Sequence, residues 1–305
     1  MCCRIILISL SGNQVRGHLA MLGFSGLVAG SFALGVRVAN DITPAAFTLL
    51  RFVVAVAILG TFILSRGPIP KTVFIAPWRY FVLGACISIY FVLMFEGLKY
   101  ASSISLAAIF TFAPLLSGFF GFVLMRQKMT IWIFLGLLIG AFGALYVIFN
   151  GNLARLLVFD FGLGEAIFFI GVIFHSIYTP LARQLNRGEK PIVFVLMTTA
   201  ASLVLVSVYG FSDLLKTDLL SLPSMVWKTI FYTAILASVI TFFLIQFATL
   251  VLPSSKVMAY TYLVPAWALV WELSLGSNNF SQSITYGIIV TIMALLILLW
   301  APEGE

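Results

Sequence analysis

The chain has 305 residues, 62% hydrophobic and only 9% charged, a balance that cannot clothe a soluble fold in polar surface. It predicts an all-α integral membrane protein and, with no soluble stretch longer than about twenty-five residues, excludes a catalytic or nucleic-acid-binding domain outside the bilayer. The formal charge of +7 is scattered over short connections and forms no patch, so it reads as membrane topology and not as nucleic-acid binding.

Residues 1–16 are expected to be a short N-terminal segment, since Ile5-Ile6-Leu7-Ile8 is too short for the apolar region of a signal peptide. Apolar runs bounded by Pro, Gly, Asn and charges then predict spans near 17–38, 44–65, 79–98, 102–125 and 131–150. A second set follows near 162–184, 191–211, 226–250, 254–275 and 283–301, with a tail over 302–305. Cys2, Cys3 and Cys86 show neither a disulfide pattern nor metal-ligand spacing.

Basic residues sort the ends. Arg4, Arg16, Arg66, Lys71, Arg79, Arg126, Lys128, Arg183, Arg187, Lys190 and Lys256 fall on one side, against Arg37, Lys99, Arg155, Lys216 and Lys228 on the other. The positive-inside rule then places both termini in the cytoplasm. With five spans in 17–150 and five in 151–301, the second unit enters the membrane in the opposite sense, which predicts ten transmembrane helices as two inverted five-helix repeats.

The two units share a pattern. Ser102-Ser103-Ile104-Ser105-Leu106-Ala107-Ala108 runs to Pro114, and Pro253-Ser254-Ser255-Lys256-Val257-Met258-Ala259 runs to Pro265. Each proline lies about twelve residues into its span, roughly 18 Å along a helix and near the bilayer midplane. Such prolines weaken two helices at one level, where carriers place their solutes.

Taken in order, these elements resemble the drug/metabolite transporter superfamily and, within it, the ten-span family with two EamA domains. The resemblance rests on Gly30-Ser31, on Pro44 through Arg51-Phe52, on Gly97-Leu98-Lys99-Tyr100-Ala101-Ser102 through Pro114, and on Gly136-Leu137-Leu138-Ile139-Gly140. In the second unit it rests on Gly164-Glu165, on His175-Ser176-Ile177-Tyr178, and on Ala248 through Ser254-Ser255 to Pro265. Gln127 and Asn278 stand where the family commonly has Glu, and Ala29 where it has Trp. The resemblance implies a carrier of amino acids or other metabolites, working as an exporter, an importer or an exchanger.

Ionisable groups inside spans are functional candidates. Arg51, Glu96 and Glu272 all fall in the outer layer, as an outer gate or vestibule. Arg51 is expected either to clasp Glu96 or to touch substrate. The two glutamates either line the gate or reach headgroup water. His175 lies about ten residues beyond Gly164-Glu165, roughly 15 Å along its helix, with Tyr178 on the same face. It either contacts substrate, with room for a proton role, or satisfies a neighbouring helix. Tyr90, Phe110, Thr111, Pro114, Gln246, Tyr260, Tyr262, Pro265 and Trp267 complete the expected cavity, whose aromatic faces and few charges suit a small amphipathic or amino-acid-like solute. Gly136, Gly140 and Gly143 offer a small-residue face for internal packing or for a homodimer.

The sequence thus predicts a secondary carrier in the inner membrane, surrounded by lipid, moving a small molecule by alternating access as an exporter, with import or exchange as the alternative and a coupling proton as an option. No cofactor or metal is expected. An intramembrane enzyme would need paired Asp, a Ser-His dyad or metal-spaced His, and the chain offers only His18 and His175 and no HExxH.

Overall fold

The computed structural model describes residues 12–126, 130–149, 152, 162–277 and 282–300, with the backbone alone at 254, 255 and 282. Cys2, Cys3, Arg4, Gln127, Lys128, Arg155, Asn278 and both chain ends therefore lie outside the described residues. Within them, the secondary structure is helical. The first unit holds α1 (Gly12–Gly35), α2 (Pro44–Leu64), α3 (Trp78–Gly97), α4 (Ser103–Phe110), α5 (Ala113–Met125) and α6 (Ile131–Ile148). The second holds α7 (Leu163–Leu185), α8 (Pro191–Lys216), α9 (Ser224–Ala234), α10 (Thr241–Val251), α11 (Ser254–Ala259), α12 (Val264–Ser274) and α13 (Gln282–Trp300).

Nine segments are long and apolar enough to cross a membrane, and the broken segment from Ser254 to Ser274 is the tenth. Most starts and stops follow local chemistry. Thr43, Ser102 and Thr130 cap α2, α4 and α6 by accepting the backbone N–H three residues on. Helix α8 runs on to Lys216, past the expected end at 211: Gly210 packs inside it against Ala45 and does not stop it, and a lysine suits a helix C-terminus.

Three spans are interrupted. The fourth breaks at Thr111 and Phe112, whose N–H groups turn back to Ala108 and Ile109 at 3.0 and 3.1 Å. The ninth breaks over a 3-10 turn, Tyr260–Leu263. Pro114 and Pro265 open the second segments, where a missing N–H costs nothing because first-turn donors have no helical acceptor. The third interruption has no proline: a π-turn, Ile235–Ile240, joins α9 to α10. Pro180 inside α7 is a further feature that the apolar spans do not single out.

The packing exchanges the two units. α3 lies on α7 and α1 on α10; α2 lies on α8 and α6 on α13. The broken spans run against each other, α4 on α12 and α11 on α5. Glycines set the closest approaches. A Cβ at Gly164 would sit 2.6 Å from the Gly97 carbonyl oxygen and 2.9 Å from the Ala101 amide, so two backbones meet where α7 crosses the end of α3. The face bearing Gly136, Gly140 and Gly143 is used internally: Leu298, the Tyr262 ring and Thr291 occupy the space where their Cβ atoms would go.

These contacts make a direct test. Gly164→Ala should destabilise by about 2 kcal/mol or more, because backbone cannot step aside. Gly60→Ala, whose added methyl group would meet nothing within 4 Å, should leave the melting temperature unchanged or raise it. Thermal unfolding of the two variants in one detergent checks both.

Candidate solute site

A buried void of about 10 Å³, room for one water at most, lies where α1, α3, α7 and the π-turn segment meet. Phe24, Val28, Ser31, Tyr90, Phe91, His175, Ala237, Thr241 and Phe242 wall it. Its helices come from both units. The His175 ring lies 4.5 Å from Tyr90 and 4.9 Å from Phe110, centroid to centroid, so the last residue of α4 joins the cluster.

Buried polar atoms are normally paired. On and beside this void they are not: Ser31 Oγ, His175 Nδ1, the Tyr178 hydroxyl and both amide atoms of Gln246 have no protein partner among the described residues. Tyr178 packs on Phe242 at 6.4 Å, and Gln246 is one helical turn beyond Phe242, so unpaired groups continue from the void along α7 and α10. An axis of unsatisfied groups through an apolar bundle fits passage of a polar solute.

Arg51 is fully buried beside this void. Its Nη2 donates to Thr233 O at 3.1 Å, Ala237 O at 3.3 Å and Ser238 Oγ at 2.6 Å. The π-turn supplies these acceptors, since its altered register turns backbone carbonyls outward. The guanidinium also lies 3.6 Å from the centroid of Phe91, which walls the void. The expected clasp to Glu96 is not formed. Glu96 pairs with Lys99 at 2.8 Å, one turn along its own chain, because both sit at the exit of α3 whereas Arg51 points into span eight.

Glu272 is also not a free headgroup-level carboxylate. Arg37 grips it through Nη1 at 3.2 Å and Nη2 at 2.8 Å, and Ser103 and Ser277 donate to it at 2.6 and 2.9 Å. This network ties the end of α1 to the start of α4 and the end of α12. At the opposite end Arg79 Nη2 meets Glu189 at 2.7 Å and its Nη1 donates to Leu185 O at 2.5 Å, tying α3 to the α7–α8 connection. Above that clasp an open cleft of about 810 Å³ is lined by Arg66, Arg187, Glu189 and Lys190 among others.

Other expected cavity residues serve packing. Thr111 Oγ1 donates to Ala108 O at 2.6 Å within its own turn. Tyr262 donates to Leu137 O at 3.3 Å and fills the notch at Gly140. Tyr260 meets His18 at 3.0 Å, and Trp267 lies against Gly26 of α1. Pro114 and Pro265 set the breaks without lining the void. The sequence carries no site signal at Phe91 or Ser238, and Ser31 stands out there only as part of a family motif. Arg37 and Arg79 read in the sequence as topology and not as clasps, and nothing in an Ala/Ser/Val run announces a π-turn.

His175→Phe should weaken solute binding about tenfold while leaving the melting temperature near that of wild type, because it keeps a ring packed on Tyr90 and Phe110 and Nδ1 gives up no protein bond. Binding and melting on one preparation separate this from a structural histidine, which would show the reverse. For Glu189, burial alone would raise the carboxyl, but the hydrogen bonds from Arg79 and the Arg187 amide outweigh it and hold the group below the usual carboxylate range. A carboxyl lowered on folding adds stability that is fully present above its ordinary value of 4.5 and is lost as pH falls through the lower folded value. Wild type should therefore melt above Glu189→Gln near neutral pH, and the gap should close well below pH ~4.

Comparison with known proteins agrees with this architecture. The model of the EamA-like transporter family matches twice, over residues 15–149 and 162–300. An uncharacterized transporter, YyaM of Bacillus subtilis (strain 168), is 25% identical over 265 residues, covering 85% of this chain and 86% of its own. A solved crystal structure superposes with a TM-score of 0.70 at 18% identity, over 95% of this chain and 96% of that one, which speaks to the fold. With both halves matched, the chain belongs to the EamA-like transporter family of the drug/metabolite transporters, and it is a multi-pass membrane transporter and not an enzyme.

Proposed function

We propose that this transporter is a secondary carrier that moves a small amphipathic metabolite, amino-acid-like in size, out of the cell by alternating access. The observation that carries the reading is the buried void: it is built from both units, is flanked by unpaired polar groups, and has an ion-pair clasp at each end. A carrier needs such a site and two seals that open in turn.

The orientation in this reading comes from the charge at the two ends. Among the described residues, the Arg66 and Arg187 end carries many basic groups and one acid, Glu189, whereas Asp41, Glu96, Glu165, Asp213, Asp218 and Glu272 sit at the other. The basic end is the cytoplasmic one in this reading, with the protein in the cell's inner membrane and both termini inside. The large cleft then faces the cytoplasm as a loading vestibule.

The test uses proteoliposomes. Counterflow should be saturable for at least one group of small amphipathic solutes, tested with neutral amino acids and with apolar monocarboxylates of the same size, and phosphorylated metabolites should not compete, because the void wall offers no cluster of basic groups. Pro114→Ala and Pro265→Ala remove the ring that keeps the helix from running on through each break and should slow counterflow about tenfold at matched insertion, with melting nearly unchanged. Normal rates in both would show that the breaks are packing features only, and absence of counterflow for every solute would overturn the carrier reading.

A further inference from the structure

Among the described residues, Arg51 differs from the other buried arginine, Arg79, in one respect: it faces no carboxylate. Arg79 is buried against Glu189, and Arg37 is paired with Glu272. Arg51 is 0% exposed, its three acceptors are two carbonyls and a serine hydroxyl, and its Nε and Nη1 donors have no protein partner among the described residues. A guanidinium keeps its proton in proteins, so a positive charge is held inside the bundle with neutral partners only. Removing such a charge from water costs several kcal/mol unless an anion or a full set of acceptors offsets it.

The position of that charge is specific. Phe91 and Ala237 each touch Arg51 and each wall the void, so the guanidinium stands one side chain behind it. Tyr90, another wall residue, lies within electrostatic reach of it. No acidic side chain lines the void to receive an ammonium group. Apart from Ser31, His175 and Thr241 the wall is aromatic and apolar, with Phe24, Val28, Phe91, Phe242 and the Tyr90 ring.

We infer that the transported solute is a net-anionic monocarboxylate with a flat or branched apolar body, and that Arg51 is the residue that receives its carboxylate. The inference rests on the carrier reading above and narrows its solute class. A carboxylate reaching Nε or Nη1 would neutralise the charge and complete its donors in one step, with Phe91 turning aside. A zwitterion would supply the same carboxylate but leave its own ammonium buried without a counter-charge. The basic rim of the loading cleft, with Arg66, Arg187 and Lys190, raises the local concentration of anions and not of cations.

Four probes of one shape decide it: 3-phenylpropionate, 3-phenylpropanol, phenethylamine and L-phenylalanine. In a thermal-shift titration of the full chain in detergent, 3-phenylpropionate should raise the melting temperature and the other three should not at equal concentration. Arg51→Met should lose that shift while remaining folded, because it removes an unpaired buried charge and keeps the bulk. Arg51→Lys keeps the charge but not the fork, and should weaken the carboxylate about tenfold or more. Equal shifts from L-phenylalanine or the alcohol, or an undiminished shift in Arg51→Met, would overturn the inference, as would no shift from 3-phenylpropionate. If Arg51→Met does not fold, the wild-type panel and Arg51→Lys still decide. Counterflow of L-phenylalanine without a carboxylate-specific shift would remove this inference and keep the carrier; a carboxylate-specific shift without counterflow of any probe would do the opposite.

Discussion

In hydrocarbon no water is at hand for a backbone N–H or C=O that leaves its helix, so each interruption must be turned inward and satisfied by protein. Here three spans are interrupted. At Thr111 and at Thr261 the hydroxyl donates back to the carbonyl three residues earlier, Ala108 and Met258, which settles part of each break locally. At the π-turn the carbonyls of Thr233 and Ala237 go instead to Arg51. The one interruption without a proline is thus the one that holds a buried cation, and it forms part of the wall of the void. The centre of the molecule is polar because its helices are broken there.

That arrangement depends on how closely the two units approach. Gly97 and Gly164 let α3 and α7 meet backbone to backbone, which brings Tyr90 and His175 within ring contact further along the same pair. Gly140 admits the Tyr262 ring, so the 3-10 turn of the ninth span nests against α6. Because each unit has five spans, the same helix has opposite sense in the two units, and α3 on α7 is mirrored by α10 on α1. The void lies between these two pairs, which is why its walls come from spans one, three, six and eight.

The spans are legible in the sequence because their signal is long and additive: about twenty apolar residues bounded by Gly, Pro and charge. The family is legible for the same reason, through the order of many weak fragments over the whole chain. The site is only partly so. His175, Tyr90, Phe110 and Arg51 do gather around the void, whereas Tyr260, Tyr262 and Trp267 pack elsewhere. The difference is angular. Depth along a span follows from residue counting, but which way a side chain points depends on where its helix is broken and on its neighbours. A two-residue break rotates everything beyond it. The partner of Arg51 escapes sequence reading on that ground: Glu96 shares its unit and its layer, but the π-turn of span eight, which sequence does not announce, offers the nearer acceptors.

The two clasps are not equivalent in how far water reaches them. Arg79 and Glu189 are 1% and 7% exposed, and the Arg79 guanidinium also donates to the Leu185, Ile75 and Ala76 carbonyls. Opening that end leaves a buried guanidinium to be satisfied again in full. Glu272 is nearly as buried, at 8%, and its bond from Ser103 is buried too, but Arg37 is 25% exposed and already partly in water. A partly hydrated ion pair costs less to separate than a dry one. From the closed arrangement, then, the Arg37–Glu272 end is the easier to open, and its separation frees the start of α4 from the end of α12, the two spans that carry the proline breaks.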